Sequence, residues 1–163
     1  MSEINVGLGE QAISRNPEDV LVAYGLGSCV GVVMVDPASS VAGLLHAVLP
    51  RPADGNGRAQ VDCSKYVEGG IEGLITAMMK EGAIKNRLVV RIVGGANMLL
   101  SSGLTKSFDI GTRNVEAAQT TLSRLKIPLA ASEVGGHIGR TVRVYVGNHR
   151  VTVRVIGQKE FEI

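Results

Sequence analysis

Two apolar runs dominate the first third of the chain, residues 29–36 (CVGVVMVD) and 41–49 (VAGLLHAVL). Both are rich in β-branched residues and too short for helices, and the turn formers Asp36-Pro37-Ala38-Ser39-Ser40 join them, so the pattern predicts an antiparallel hairpin. Similar runs predict strands at about 20–25, 88–93, 129–134, 141–147 and 150–156, the last two paired across Gly147-Asn148-His149. Helical spacing is confined to two stretches. One runs from Ser64 or Lys65 to about Lys80 and carries Gly69, Gly70 and Gly73, which weaken a helix but allow close packing on a sheet. The other is expected to start after Asn114 as N-cap, with Val115, Ala118, Leu122 and Leu125 as its apolar stripe and Pro128 beyond its end. Strands outnumber helices, so the expected fold class is α+β: mixed, mainly antiparallel β-sheets packed together, with two main helices outside.

Length and composition narrow this picture. At 163 residues and 45% hydrophobic, the chain suits one well-buried core, and a single domain over 1–163 is expected. A net charge of +2 with dispersed Lys and Arg, and only 3% aromatic residues, disfavours nucleic acid as a partner. Met1-Ser2-Glu3-Ile4-Asn5 lacks the basic start and apolar stretch of a signal peptide, and no apolar run approaches the roughly 20 residues of a span. A cytoplasmic protein without membrane insertion is expected, with Cys29 and Cys63 reduced. Arg51–Val61 (RPADGNGRAQV) reads as a polar loop beside His46, and Met98-Leu99-Leu100 as a core segment.

The candidate chemistry lies on the hairpin. Cys29 leaves a glycine-rich turn, Gly25-Leu26-Gly27-Ser28, and His46 sits in the following strand. A thiolate is a strong nucleophile, and a nearby imidazole lowers the thiol pKa and carries protons. A two-residue turn at Pro37-Ala38 would place Cys29 directly opposite His46. Pro37 cannot supply the positive φ such turns favour, which points to a longer loop and a slip of one or two residues; a slip of two leaves the pair diagonal neighbours. The backbone N–H groups at Gly27 and Ser28 are candidates for holding an oxyanion. Taken singly, a cysteine is more often a small buried hydrophobe, the reading that suits Cys63, and a histidine in an apolar strand more often a core residue. His137, beside Gly135-Gly136, reads as a turn residue. The glycines at 25, 27 and 31 miss the dinucleotide fingerprint because position 30 is Val30, and no Walker-type loop occurs. Cys29, His46, Cys63, His137 and His149 are too scattered for a metal cluster, so neither cofactor nor metal is expected.

Several segments together resemble one family. They are Val6-Gly7-Leu8-Gly9-Glu10, Gly25-Leu26-Gly27-Ser28-Cys29-Val30-Gly31, Ala42-Gly43-Leu44-Leu45-His46-Ala47-Val48-Leu49-Pro50, Lys65-Tyr66, Gly94-Gly95-Ala96-Asn97-Met98 and Ile110-Gly111-Thr112-Arg113-Asn114-Val115. This set is similar to the chemoreceptor glutamine deamidases, the CheD family of bacterial and archaeal chemotaxis. The resemblance implies a fold similar to that of toxin-type cysteine deamidases and conversion of chemoreceptor glutamines to glutamates. It implies Cys29 and His46 as catalytic residues, chemoreceptors as substrates, and the chemotaxis phosphatase CheC as a partner. The family's third catalytic residue, a threonine six positions before the cysteine, is here Ala23, whose methyl group cannot hydrogen-bond to histidine. Another group such as a backbone carbonyl or a hydroxyl then orients His46, or the enzyme is slow, or the chain acts mainly as a binding module regulating CheC.

Overall fold

The computed structural model describes residues 1–52, 64–98 and 109–163; Cys63, Leu99 and Leu100 lie outside them. Two five-stranded sheets form the framework. The first has the order β1 (Ser2–Asn5), β3 (Asp19–Leu26), β8 (Arg140–Tyr145), β9 (Val151–Val155) and β10 (Phe161–Glu162). The second has the order β2 (Glu10–Ser14), β5 (Val41–Ala47), β4 (Val30–Asp36), β6 (Val89–Gly94) and β7 (Leu129–Val134). The β1–β3 and β6–β7 pairs are parallel and the others antiparallel, which gives the expected mixed, mainly antiparallel α+β fold.

The hydrophobic pattern reports the layering. Every residue of β4 and β5 is buried, because both faces of the second sheet are covered. One face meets the first sheet, through Val33, Val35, Ala42 and Leu44 against Leu21, Val142, Val144 and Val153. The other carries Val30, Val32, Met34 and Leu45 against the helices α1 (Val67–Lys80) and α2 (Ile110–Arg124). In β8, by contrast, buried and partly exposed residues alternate, as expected for a sheet with one covered face. Gly70 lets α1 approach: a Cβ there would lie 2.9 Å from the Leu45 side chain.

Three short strands are additional to those predicted. β1 and β2 are polar segments without an apolar run, and β10 has two residues; each is specified by the strand it pairs with, not by its own pattern. The second helix starts at Ile110, one turn earlier than expected, and Asn114 is a buried helical residue instead of its N-cap. The cap comes from a distant segment. Asn97 Oδ1 accepts the Thr112 N–H at 3.3 Å, and Asn97 Nδ2 donates to Thr112 Oγ1 at 2.8 Å. Met98 is half exposed, not in the core.

The turn end of the β4–β5 hairpin is tied down by Asp36. Its side chain, fully buried, accepts the N–H groups of Ala38 and Ser39 and, through Oδ2, those of Ile84 (2.8 Å) and the Arg87 guanidinium (2.9 Å). Burial raises the carboxyl pKa, but the Ile84 N–H, Arg87 and Ser39 outweigh it and hold the group down to about 2. Because the folded value lies below the usual ~3.9, the stabilisation is complete above about pH 4 and is lost as pH falls toward 2. Asp36→Asn turns an acceptor toward this set of donors into a competing donor and should cost about 1–3 kcal/mol in urea unfolding at pH 7. The gap between variant and wild type should close between about pH 4 and pH 2; a gap unchanged at pH 2 would contradict the ion-pair account.

Candidate active site

The four residues Pro37–Ser40 join β4 to β5, with Ser40 at φ 55°, and the register pairs Gly31 with His46. This is the slip of two residues from the tight-turn register, so Cys29 and His46 are offset diagonally, not directly opposite. Parity keeps them on one side. Both face the layer between the sheets, Cys29 just before β4 and His46 within β5 near its end. Gly31, across from His46, puts no side chain beside the imidazole.

The cysteine turn is fixed through its carbonyls. Gly27 O accepts the Ala96 N–H and Cys29 O the Gly95 N–H, each at 2.8 Å, while Ser28 O accepts Asn114 Nδ2 at 2.8 Å. No peptide bond among the described residues is cis. In a trans peptide the N–H points opposite to the preceding C=O, so the Ser28 N–H points away from Ala96, just after β6, and the Cys29 N–H away from Asn114 on α2. The Cys29 N–H lies on the side of its own sulfur, where it favours the thiolate. Burial has the larger effect and pushes the thiol pKa up. This corrects the expectation of a thiol already lowered by its histidine.

His46 is 3% exposed, and Val6 O lies 2.9 Å from its Nδ1. A carbonyl only accepts, so Nδ1 carries a hydrogen, which in the neutral tautomer leaves the lone pair on Nε2. That atom is buried and has no hydrogen-bond partner among the described residues. The backbone of His46 is held as well: its carbonyl accepts the Gly9 N–H at 2.8 Å, and Glu10 pairs beside it on β2. Ala23 lies in β3, fully buried in the same inter-sheet layer, and offers no polar side-chain atom.

The structure thus brings together Cys29, His46 and the N–H side of the Gly27-Ser28 turn. His137 is an exposed turn residue whose Nδ1 meets Asn97 O at 2.9 Å. Among the described residues no three His, Cys, Asp or Glu side chains converge as a metal site requires, and no helix is long and apolar enough to cross a membrane. Two contributors escaped the sequence reading. The Val6 carbonyl is a backbone group that no residue type announces, and Asn114 was assigned to a helix cap. Gly94 had a legible signal in its glycine pair: at φ 108° a Cβ would collide with the Cys29 carbonyl.

The description "CheD chemotactic sensory transduction" belongs to the family model that matches residues 48–155. Similarity to individual relatives extends over nearly the entire chain. A protein of Symbiobacterium thermophilum is 40% identical over 158 residues, 97% of this chain and 95% of its own length. One of Thermococcus kodakarensis is 39% identical over 154 residues, covering 94% and 93%. Both are named probable chemoreceptor glutamine deamidase CheD. Among solved structures, the Bacillus licheniformis hypothetical protein YfiH aligns over 76% of this chain and 49% of its own, with 14% identity and a TM-score of 0.45.

Two measurements test this geometry. Iodoacetamide should modify Cys29 with a rate that rises through a midpoint above the free-thiol value of about 8.5; a midpoint well below it would mean a resting thiolate. Gly94→Ala should cost at least about 1–3 kcal/mol in thermal or urea unfolding, because it combines backbone strain with a clash against the cysteine carbonyl. Unchanged stability would show that the turn does not rest on Gly94.

Proposed function

The chain belongs to the CheD family, and we propose that it deamidates glutamine side chains of chemoreceptors, with Cys29 as nucleophile and His46 as the proton carrier. The observation that carries this reading is the state of His46. Its Nδ1–H is committed to Val6 O, and its Nε2 is buried, without a hydrogen-bond partner among the described residues, in a side chain on the same face as the thiol.

The reaction follows from that arrangement. As a glutamine carboxamide enters, Nε2 takes the thiol proton and the sulfur attacks the carboxamide carbon. The negative charge that develops on oxygen is received by the N–H groups of Ser28 and Cys29, donors whose individual loss from such sites costs about 2.7–4 kcal/mol. The imidazolium then protonates the nitrogen, the C–N bond breaks, and ammonia leaves a thioester. His46 next deprotonates a water that attacks the thioester carbon, and the departing sulfur recovers the proton. Glutamate and the free thiol result, with no cofactor. The new carboxylate changes the charge on the receptor and so biases its signalling equilibrium.

In this account the Val6 carbonyl does what a threonine at position 23 would do: it fixes tautomer and ring orientation. Ala23 also favours a second reading, in which the domain binds chemotaxis proteins, CheC among them, without turnover.

Mass spectrometry of glutamines in a purified receptor cytoplasmic fragment distinguishes the two. Wild type should convert glutamine to glutamate, Cys29→Ala should not, and His46→Ala should lose nearly all conversion while binding the fragment within a few fold. Ala23→Thr should leave turnover within about threefold, because the orienting position is already filled. A tenfold gain would mean that Val6 does not suffice, and a wild type that binds but converts nothing would leave the binding module as the better account.

A further inference from the structure

We propose that Asn114 is the positioning residue that sets the spacing between the Cys29 turn and the strand carrying His46. Its Nδ2 donates one hydrogen to Ser28 O at 2.8 Å and the other to Val48 O at 2.9 Å. Those carbonyls belong to the residue before the cysteine and to the second residue after the histidine. One planar amide therefore spans the two chain segments whose separation decides whether a thiol and an imidazole can share a substrate.

The need for a side chain here comes from the way the ladder ends. The last β4–β5 rung pairs Val30 with Ala47. Beyond it the N–H groups of Val48 and Leu49 both turn to Lys65 O, at 2.8 and 3.1 Å, so β5 no longer donates toward the cysteine turn. Two carbonyls that converge without donors between them repel each other. An NH2 group carries two hydrogens in one plane and fits between them; an ionised carboxylate or an alkyl group does not.

Stability alone does not account for an asparagine at this place. It is fully buried in a helix interior, where its intrinsic propensity is poor, and its Oδ1 is buried with no partner among the described residues. Asn114 approaches from α2, on the helix-covered face of the second sheet, whereas Cys29 and His46 face the first sheet. It acts through the backbone and not on the substrate.

The kinetic part of the test rests on the deamidase reading; the thiol part does not. For Asn114→Ala, with the fold checked by circular dichroism, kcat on a receptor fragment should fall roughly 10- to 100-fold with KM within about twofold, the pattern of misplaced reacting groups. The pH midpoint for Cys29 alkylation should fall toward the ordinary thiol value as the turn loosens and the sulfur gains solvent. Asn114→Ser keeps a single donor and should fall between Ala and wild type in both readouts; it decides the matter if the alanine variant does not fold. A folded variant with wild-type kcat and wild-type alkylation overturns the proposal. A wild type without turnover sinks the deamidase reading alone, because the alkylation shift still reports on the spacing.

Discussion

The β4–β5 hairpin is covered on both faces, so the polar groups at its two ends must find partners inside the protein. A buried backbone group left unpaired costs as much as a lost hydrogen bond, and this constraint shapes both ends. At the turn end a single carboxylate, Asp36, gathers donors from its own loop and from the segment after α1. At the open end the carbonyls of Gly27, Ser28, Cys29 and Val48 are collected by Ala96, Asn114 and Gly95. Anchoring these carbonyls leaves the opposite, N–H side of the same peptides facing away from the anchors. The oxyanion donors of the proposed mechanism are thus a by-product of satisfying the other side of the turn.

The same reasoning bears on Ala23. A histidine needs one hydrogen-bond acceptor to fix its tautomer, and that acceptor need not be a side chain. The segment from Val6 to Glu10 runs beside β5, and one of its carbonyls meets Nδ1 while one of its N–H groups, Gly9, meets the histidine carbonyl. A backbone carbonyl cannot be mutated away and does not vary with residue type. On the proposed reading, this is why a methyl group at position 23 is compatible with an oriented imidazole.

Local chemistry made the central elements legible. The continuous apolar runs of β4 and β5 identified a hairpin buried on both sides, and the Asp36–Ser40 turn located its bend. The slip of the register came from Pro37, whose φ excludes the tight two-residue turn. What the sequence left out was tertiary. β1 and β2 have no pattern of their own and exist because β3 and β5 offer them edges. The start of α2 was misplaced because its cap, Asn97, lies 15 residues from the Thr112 N–H it satisfies. Asn114 has the composition of a cap and the position of a bolt, and only its two carbonyl partners tell these apart.

A buried thiol on the same inter-sheet face as a buried imidazole has consequences for selectivity. An ion pair of thiolate and imidazolium would react with any electrophile that reached it, because the nucleophile would already be formed. Here desolvation pushes the thiol pKa up and so works against a preformed thiolate. In the proposed mechanism, proton transfer becomes favourable only when a carbonyl oxygen lies against the Ser28 and Cys29 N–H groups and can take up the developing charge. A group without such an oxygen gains little from the site. On that reading, the burial that raises the thiol pKa trades resting reactivity for dependence on a correctly placed carboxamide, which suits the proposed action on a few side chains of a large protein substrate.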